Sequence, residues 1–228
     1  MTGISAIDGG LSYHTRTLRQ GPLADHFQQL FPLRTLHEVD FATIPCLLVP
    51  CRTNGARLAA HRARLMHYVE KGGFLVVMGE TRPDLFLDDV GFRTIATNYW
   101  WWLEPDADLG VRISAPDHPL FDRLSEADLA WHVHGTLALG SMWVTETLAR
   151  YDGEDGGPIV VDARLGSGRA LLTTLDPIYH HGSGFMPATT RFLEGFLPWL
   201  AQTVDDRLSG CINLDNGQAT PKSRPKGN

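Results

Sequence analysis

Apolar and polar positions along the chain fall into alternating blocks. Ile4-Ser5-Ala6-Ile7 is a short, mostly apolar run closed by Asp8-Gly9-Gly10, which predicts a strand and then a turn. From about residue 17 to 31 Leu18, Leu23, Phe27, Leu30 and Phe31 gather on one side of a helix, so a helix is expected there. Residues 34–39 (RTLHEV) read as a second strand. Residues 46–50 (CLLVP), apolar throughout, read as a third, of the kind covered on both faces. A second helix spans about 55–71, with Leu58, Ala59, Leu65, Met66 and Val69 on one face and Gly72-Gly73 as its stop. FLVVMG, residues 74–79, is a fourth buried strand. This order predicts an α/β domain around a mostly parallel sheet.

Between about 90 and 160 the pattern breaks up. VRIS, WHVHGTLAL and MWVTETLARY are short β-like pieces among Pro, Trp and His, and they predict an antiparallel insertion. Residues 158–176 predict a hairpin turning at Gly166-Ser167-Gly168. A last helix is expected from Pro187, a favoured first-turn residue, packed down by Phe192, Leu193, Phe196, Leu197 and Leu200. Beyond Val204 the chain turns polar, and residues 205–228 read as a disordered tail. The fold expected is a three-layer, flavodoxin-like α/β domain over residues 1–204, its sheet mostly parallel, with an antiparallel, β-rich insertion.

Composition narrows the function classes. The length of 228 residues suits one domain with a sizeable core. A net charge of -6 with scattered Lys and Arg offers no footprint for nucleic acid. No apolar run is long enough to span a bilayer. MTGISAIDGG lacks the basic and apolar regions of a signal peptide. Cys46, Cys51 and Cys211 make neither a zinc spacing nor a disulfide framework. A cytoplasmic protein without nucleic-acid or membrane partners is expected.

Ligands of open α/β sheets bind beyond the carboxyl ends of the strands. That rule gathers Asp8, then Cys51, Arg52, Thr53 and Asn54, then Glu80 and Thr81, then Asp176 followed by Tyr179, His180 and His181. His132 and His134 would point the same way along a strand, and His-x-His can serve a metal. No full ligand set has a recognisable spacing, so a metal-free pocket without cofactor is expected. Glu80, His132, His134 and Asp8 are its candidate acid–base groups, and Asp176 and His180 its polar binding groups. His118, in APDHPLF, is placed in a turn. Cys51 beside Arg52 is a candidate thiol nucleophile, with a half-buried turn residue as the simpler reading. The run TNYWWWLEP, residues 97–105, fits neither a one-faced strand nor a helix. Three uses compete for it: core, subunit interface, or a ligand wall in which Tyr99 and Trp101 stack on a sugar while Asn98 and Glu104 bond hydroxyls.

Residues 46–80, CLLVPCRTNGARLAAHRARLMHYVEKGGFLVVMGE, resemble the core of class I glutamine amidotransferase-like domains. Residues 166–200 are similar to the closing strand and helix of the ThuA-like branch and of bacterial β-galactosidase trimerisation domains. The resemblance covers roughly 3–82 and 158–201 and rests on hydrophobicity and glycine patterns. It departs from the family at the nucleophile. Where amidotransferases carry Gly-x-Cys-x-Gly, this chain reads Val77-Met78-Gly79-Glu80-Thr81, and the downstream His-x-Glu pair has no counterpart. A carboxylate cannot form the thioester of glutamine hydrolysis, so glutaminase activity is not expected. The ThuA-like resemblance implies a carbohydrate or related polar metabolite as ligand, and any activity would be of a metal-independent, acid–base hydrolase type. The trimerisation-domain resemblance implies a non-catalytic, homo-oligomeric scaffold instead.

Overall fold

A computed structural model of the chain describes residues 3–96 and 100–215. Its strands are β1 (Ile4–Asp8), β2 (Gln29–Pro32), β3 (Cys46–Val49), β4 (Phe74–Met78), β5 (Val90–Thr94), β6 (Val111–Ile113), β7 (Gly135–Leu139), β8 (Val144–Tyr151), β9 (Gly157–Leu165) and β10 (Gly168–Thr173). Its α-helices are α1 (Ser12–Arg19), α2 (Gly55–Ala59), α3 (Arg62–Glu70), α4 (Pro177–Gly182) and α5 (Pro187–Asp215). Eight strands form one sheet in the order β2-β1-β3-β4-β10-β9-β8-β6. The first five run parallel, and β9, β8 and β6 extend the sheet by antiparallel pairing. β5 and β7 pair separately as an antiparallel ribbon.

The apolar strands are covered on both faces, as their unbroken hydrophobicity demands. Successive residues alternate between two cores. Ile4, Ala6, Leu48, Val76 and Leu171 pack with Leu18, Ile178, Phe192 and Phe196 under α1, α4 and α5. Ile7, Leu47, Val49, Leu75 and Leu172 pack with Leu58, Leu65 and Val69 under α2 and α3, and Val90 and Leu137 of the ribbon join that layer. This is the expected three-layer, flavodoxin-like arrangement with an antiparallel part contributed by the middle of the chain.

Four segments differ from expectation. The helix predicted over 17–31 ends at Arg19, because Gly21 sits at φ 73° and Pro22 opens a short 3₁₀ turn. β2 follows immediately, with Leu30 turned to one core and Phe31 to the other. Residues 34–39, predicted as that strand, are largely a 3₁₀ turn (Leu33–Glu38). The helix over 55–71 divides at His61 (φ -108°, ψ 7°) into α2 and α3. α5 continues past Val204 to Asp215. Val204 is still buried there, and Arg207 donates to the carbonyl of Gly72, so the polar stretch keeps a docking role. Residues 216–228 lie outside the described part. Among the described residues, no helix is long and apolar enough to cross a membrane.

Candidate functional site

The turns after β3, β4 and β10 meet at the carboxyl edge of the sheet. Gly79, at φ 66°, makes the turn after β4, and its N–H donates to Thr173 O at 2.8 Å. A Cβ on Gly79 would stand 2.4 Å from Cys51 Cβ and 2.9 Å from Asp176 Cβ, so glycine is what lets the three turns touch. Gly55 does the same for the next loop, since a Cβ there would meet Thr81 O at 2.2 Å. Glu80, Asp176 and Arg52 are thereby brought together. Arg52 holds a left-handed φ of 62°, an unfavourable geometry for a non-glycine residue. Its guanidinium is anchored 3.6 Å above the Tyr179 ring, with Nη2 at 3.2 Å from Glu80 Oε2 and 3.5 Å from Asp176 Oδ2.

The insertion supplies the imidazoles. His132 and His134 lie in irregular backbone just before β7, not in a strand as expected. Their rings are 6.0 Å apart at 90°, and His132 lies 5.0 Å from His180 of α4. His134 stands between two carboxylates, Nδ1 at 3.4 Å from Glu80 Oε1 and Nε2 at 3.2 Å from Asp176 Oδ2. His180 Nε2 is 3.2 Å from Asp176 Oδ1. Burial alone would lower the His134 pKa, but contact with Asp176 and the charge of Glu80 outweigh it, and the net shift is upward. Burial would likewise raise Asp176, yet its contacts with His134 and His180 hold its carboxyl well below the usual range. Asp176 is fully buried and His180 nearly so. Even so, neither carboxylate oxygen of Asp176 and neither ring nitrogen of His180 meets hydrogen-bond geometry with the described residues.

The structure thus brings together Glu80, His132, His134, Asp176 and His180 from the expected set. Asp8 is committed elsewhere: Oδ2 pairs with Arg19 at 2.7 Å and Oδ1 accepts from Gly10 N–H at 2.8 Å, which ties it to its own turn and α1. Asn98 and Tyr99 lie outside the described residues. Trp101 is half-buried against the core and its indole N–H donates to Trp131 O at 3.1 Å, so it buttresses the segment that carries His132. Cys51 is buried and its sulfur accepts the Tyr179 N–H at 3.1 Å. Burial and the nearby Asp176 charge push its thiol up, away from a nucleophilic thiolate. His181 turns away to Thr190 Oγ1 at 2.8 Å.

Two contributors were not legible beforehand. His14 is fully buried in α1. Gly9 N–H donates to its Nδ1 at 3.1 Å, so Nε2 carries the hydrogen that Cys51 O accepts at 2.9 Å. It braces two of the turns. Tyr13 stacks edge-on against Tyr179 at 5.0 Å and extends the aromatic support of Arg52. Both sit in a helix whose first turn the apolar pattern placed later. A cavity of about 920 Å³ lined by Phe41, Ile44, Arg64 and Tyr68 lies at the amino ends of β3 and β4, the edge opposite to this cluster.

No family model and no curated protein matches the sequence. Solved structures with a similar fold include two cytoplasmic proteins of Salmonella typhimurium. STM3548 is 11% identical and covers 82% of this chain and 85% of its own, with a TM-score of 0.50. STM1381 of strain LT2 is 14% identical, covers 85% of each chain and also reaches 0.50. A ThuA-like protein from Bacteroides uniformis aligns at 12% identity over 86% of this chain and 89% of its own, with a TM-score of 0.46. At such identities the likeness extends to the fold alone.

Proposed function

We propose that the carboxyl edge of the sheet binds a small polar metabolite of the carbohydrate class and transfers a proton to or from it through Glu80. The observation that carries this is the line Glu80–His134–Asp176, with contacts of 3.4 and 3.2 Å. Buried Asp176 orients His134, and His134 presents its other nitrogen to the half-exposed Glu80. Arg52 meets the second Glu80 oxygen, so both oxygens face a donor before and after a proton moves. Gly79-Glu80 occupies the turn where an amidotransferase would hold its thiol, and Cys51 lies buried behind it, which supports the absence of glutaminase chemistry. The carbohydrate class rests on the sequence resemblance to the ThuA-like branch.

Calorimetric titration of a panel of sugars and polyols tests the reading. At least one is expected to bind, with Arg52→Met weakening it, and Glu80→Gln is expected to abolish turnover while leaving the fold intact. Absence of binding across the panel, or full activity in Glu80→Gln, overturns it. No ammonia release from glutamine is expected from the wild type or from Cys51→Ala. A second reading, a homo-oligomeric scaffold, is favoured by Trp100 and Leu103, which expose 62% and 61% of their surface side by side. Sedimentation of Trp100→Ser against the wild type distinguishes the two.

A further inference from the structure

His132 and His180 are not used by the acid–base reading, and together with His134 they offer something more. His132, His134 and His180 each present a ring nitrogen, and these nitrogens lie within 4.8 Å of one another. Asp176 lies against two of the rings, Oδ2 at 3.2 Å from His134 Nε2 and Oδ1 at 3.2 Å from His180 Nε2. This is how a carboxylate commonly orients metal-bound imidazoles. Both ring nitrogens of His180 are buried without a hydrogen-bond partner among the described residues, which is costly for polar nitrogens unless a ligand meets one of them. The trio His118, Glu146 and Asp162 also approaches metal spacing, but both Asp162 oxygens are already occupied by Arg169.

We propose that His132, His134 and His180 hold a divalent transition-metal ion of the zinc type. Three imidazoles and a free position suit such an ion and the chemistry of a metal-activated water. Tetrahedral zinc with bonds of about 2.0–2.1 Å needs its nitrogens roughly 3.4 Å apart, so the trio must close by up to about 1.4 Å. His132, half-buried in irregular backbone, is where that closure would be made. The inference rests on the same cluster as the proposed function, but the ion is detected without any substrate.

The test uses the full chain, stripped by a chelator and titrated with zinc by calorimetry and with cobalt by visible absorption. One saturable equivalent is expected, with cobalt bands of a low-coordinate nitrogen site. His180→Gln and His132→Ala should each weaken zinc by about a hundredfold or more, and Asp176→Asn by about tenfold to a hundredfold. His67→Ala, an exposed histidine on α3, should change nothing. Circular dichroism checks each variant; if His180→Gln fails to fold, the half-buried His132→Ala carries the test. Absence of a saturable equivalent, or wild-type zinc affinity in folded His132→Ala, overturns the inference. Failure of the sugar panel with zinc binding intact would instead overturn the proposed function and leave this inference standing.

Discussion

Two buried aspartates flank β10, and each faces an arginine and a histidine. Asp162 is met in line on both oxygens: Arg169 Nε donates to Oδ1 at 2.9 Å and Nη2 to Oδ2 at 2.8 Å. His118 accepts from Leu120 N–H at Nδ1, and so turns its Nε2 hydrogen to Asp162 at 3.5 Å. Arg169 is itself sandwiched near Phe74 and Trp199. Asp176, more deeply buried, has more neighbours and poorer bonds, with two imidazoles at 3.2 Å and Arg52 at 3.5 Å, none in line. Burial would raise both carboxyls, and in both the partners win and lower them. The difference is one of satisfaction. A carboxylate gripped bidentately by one planar fork is finished, and it holds the fold. A carboxylate shared among three off-line donors keeps them poised for a further ligand.

The largest expected effect breaks the first of these. Arg169→Met leaves Asp162 buried and short of its main partner, and should cost about 3 kcal/mol in urea unfolding. Arg52→Met, at the other aspartate, should cost no more than about 1 kcal/mol, because Arg52 is itself one-third exposed and screened, and two imidazoles remain beside Asp176. A larger loss at Arg52 than at Arg169 would reverse the assignment of structural and working sites.

Acid stability sharpens the same contrast. The folded pKa of Asp162 lies below its unfolded value, so its contribution is complete above the unfolded value of about 4 and is lost as pH falls through the lowered folded one. Wild type should therefore lose more stability below about pH 4 than Asp162→Asn does. Asp176 shifts the same way in both proteins, so the difference between the two curves isolates Asp162. Parallel curves would show that the Arg169 fork adds nothing.

These two aspartates look alike in the sequence, since each closes or interrupts an apolar run. Asp176 was found because it follows a strand end, a position set by the order of apolar blocks. Asp162 sits inside PIVVDARL and was missed. Its partner is visible only once the hairpin register pairs Asp162 with Leu171, which makes Arg169 a diagonal neighbour. Glu80 and His180 were legible for the same reason as Asp176. The line joining Glu80 to His134 was not, because His134 arrives on backbone without a period, and its placement depends on Trp131 and Trp101 packing. The helix misplaced over 17–31 shows the complementary failure. The apolar spacing there suits a helix, and Gly21-Pro22 overrides it.

Cys51 gives a smaller effect at the working aspartate. Its sulfur accepts the Tyr179 N–H under Asp176, and burial opposes ionisation. A thiol reagent should leave Cys51 unmodified in the folded protein and modify it only on unfolding, as followed by mass spectrometry. Modification at the rate of an exposed thiol would mean that the Asp176 site opens and would revive a thiol role.

The smallest effect is expected at Asp8, the strand-end carboxylate that the structure separates from the others. Burial would raise its pKa, but Arg19 and the Gly10 N–H outweigh this and lower it. Its partner Arg19 is nearly half exposed, so solvent screens the pair, and Asp8→Asn should cost roughly 0.5 kcal/mol. The side chain also bonds its own turn, which Asn can still do. Sugar binding and zinc binding should both match the wild type, because among the described residues no contact carries the Asp8 charge to Glu80 or to the imidazoles of the cluster. If Asp8→Asn weakens either ligand severalfold while its melting temperature stays put, Asp8 belongs to the working cluster. The contrast between bonded and poised carboxylates would then need a third member.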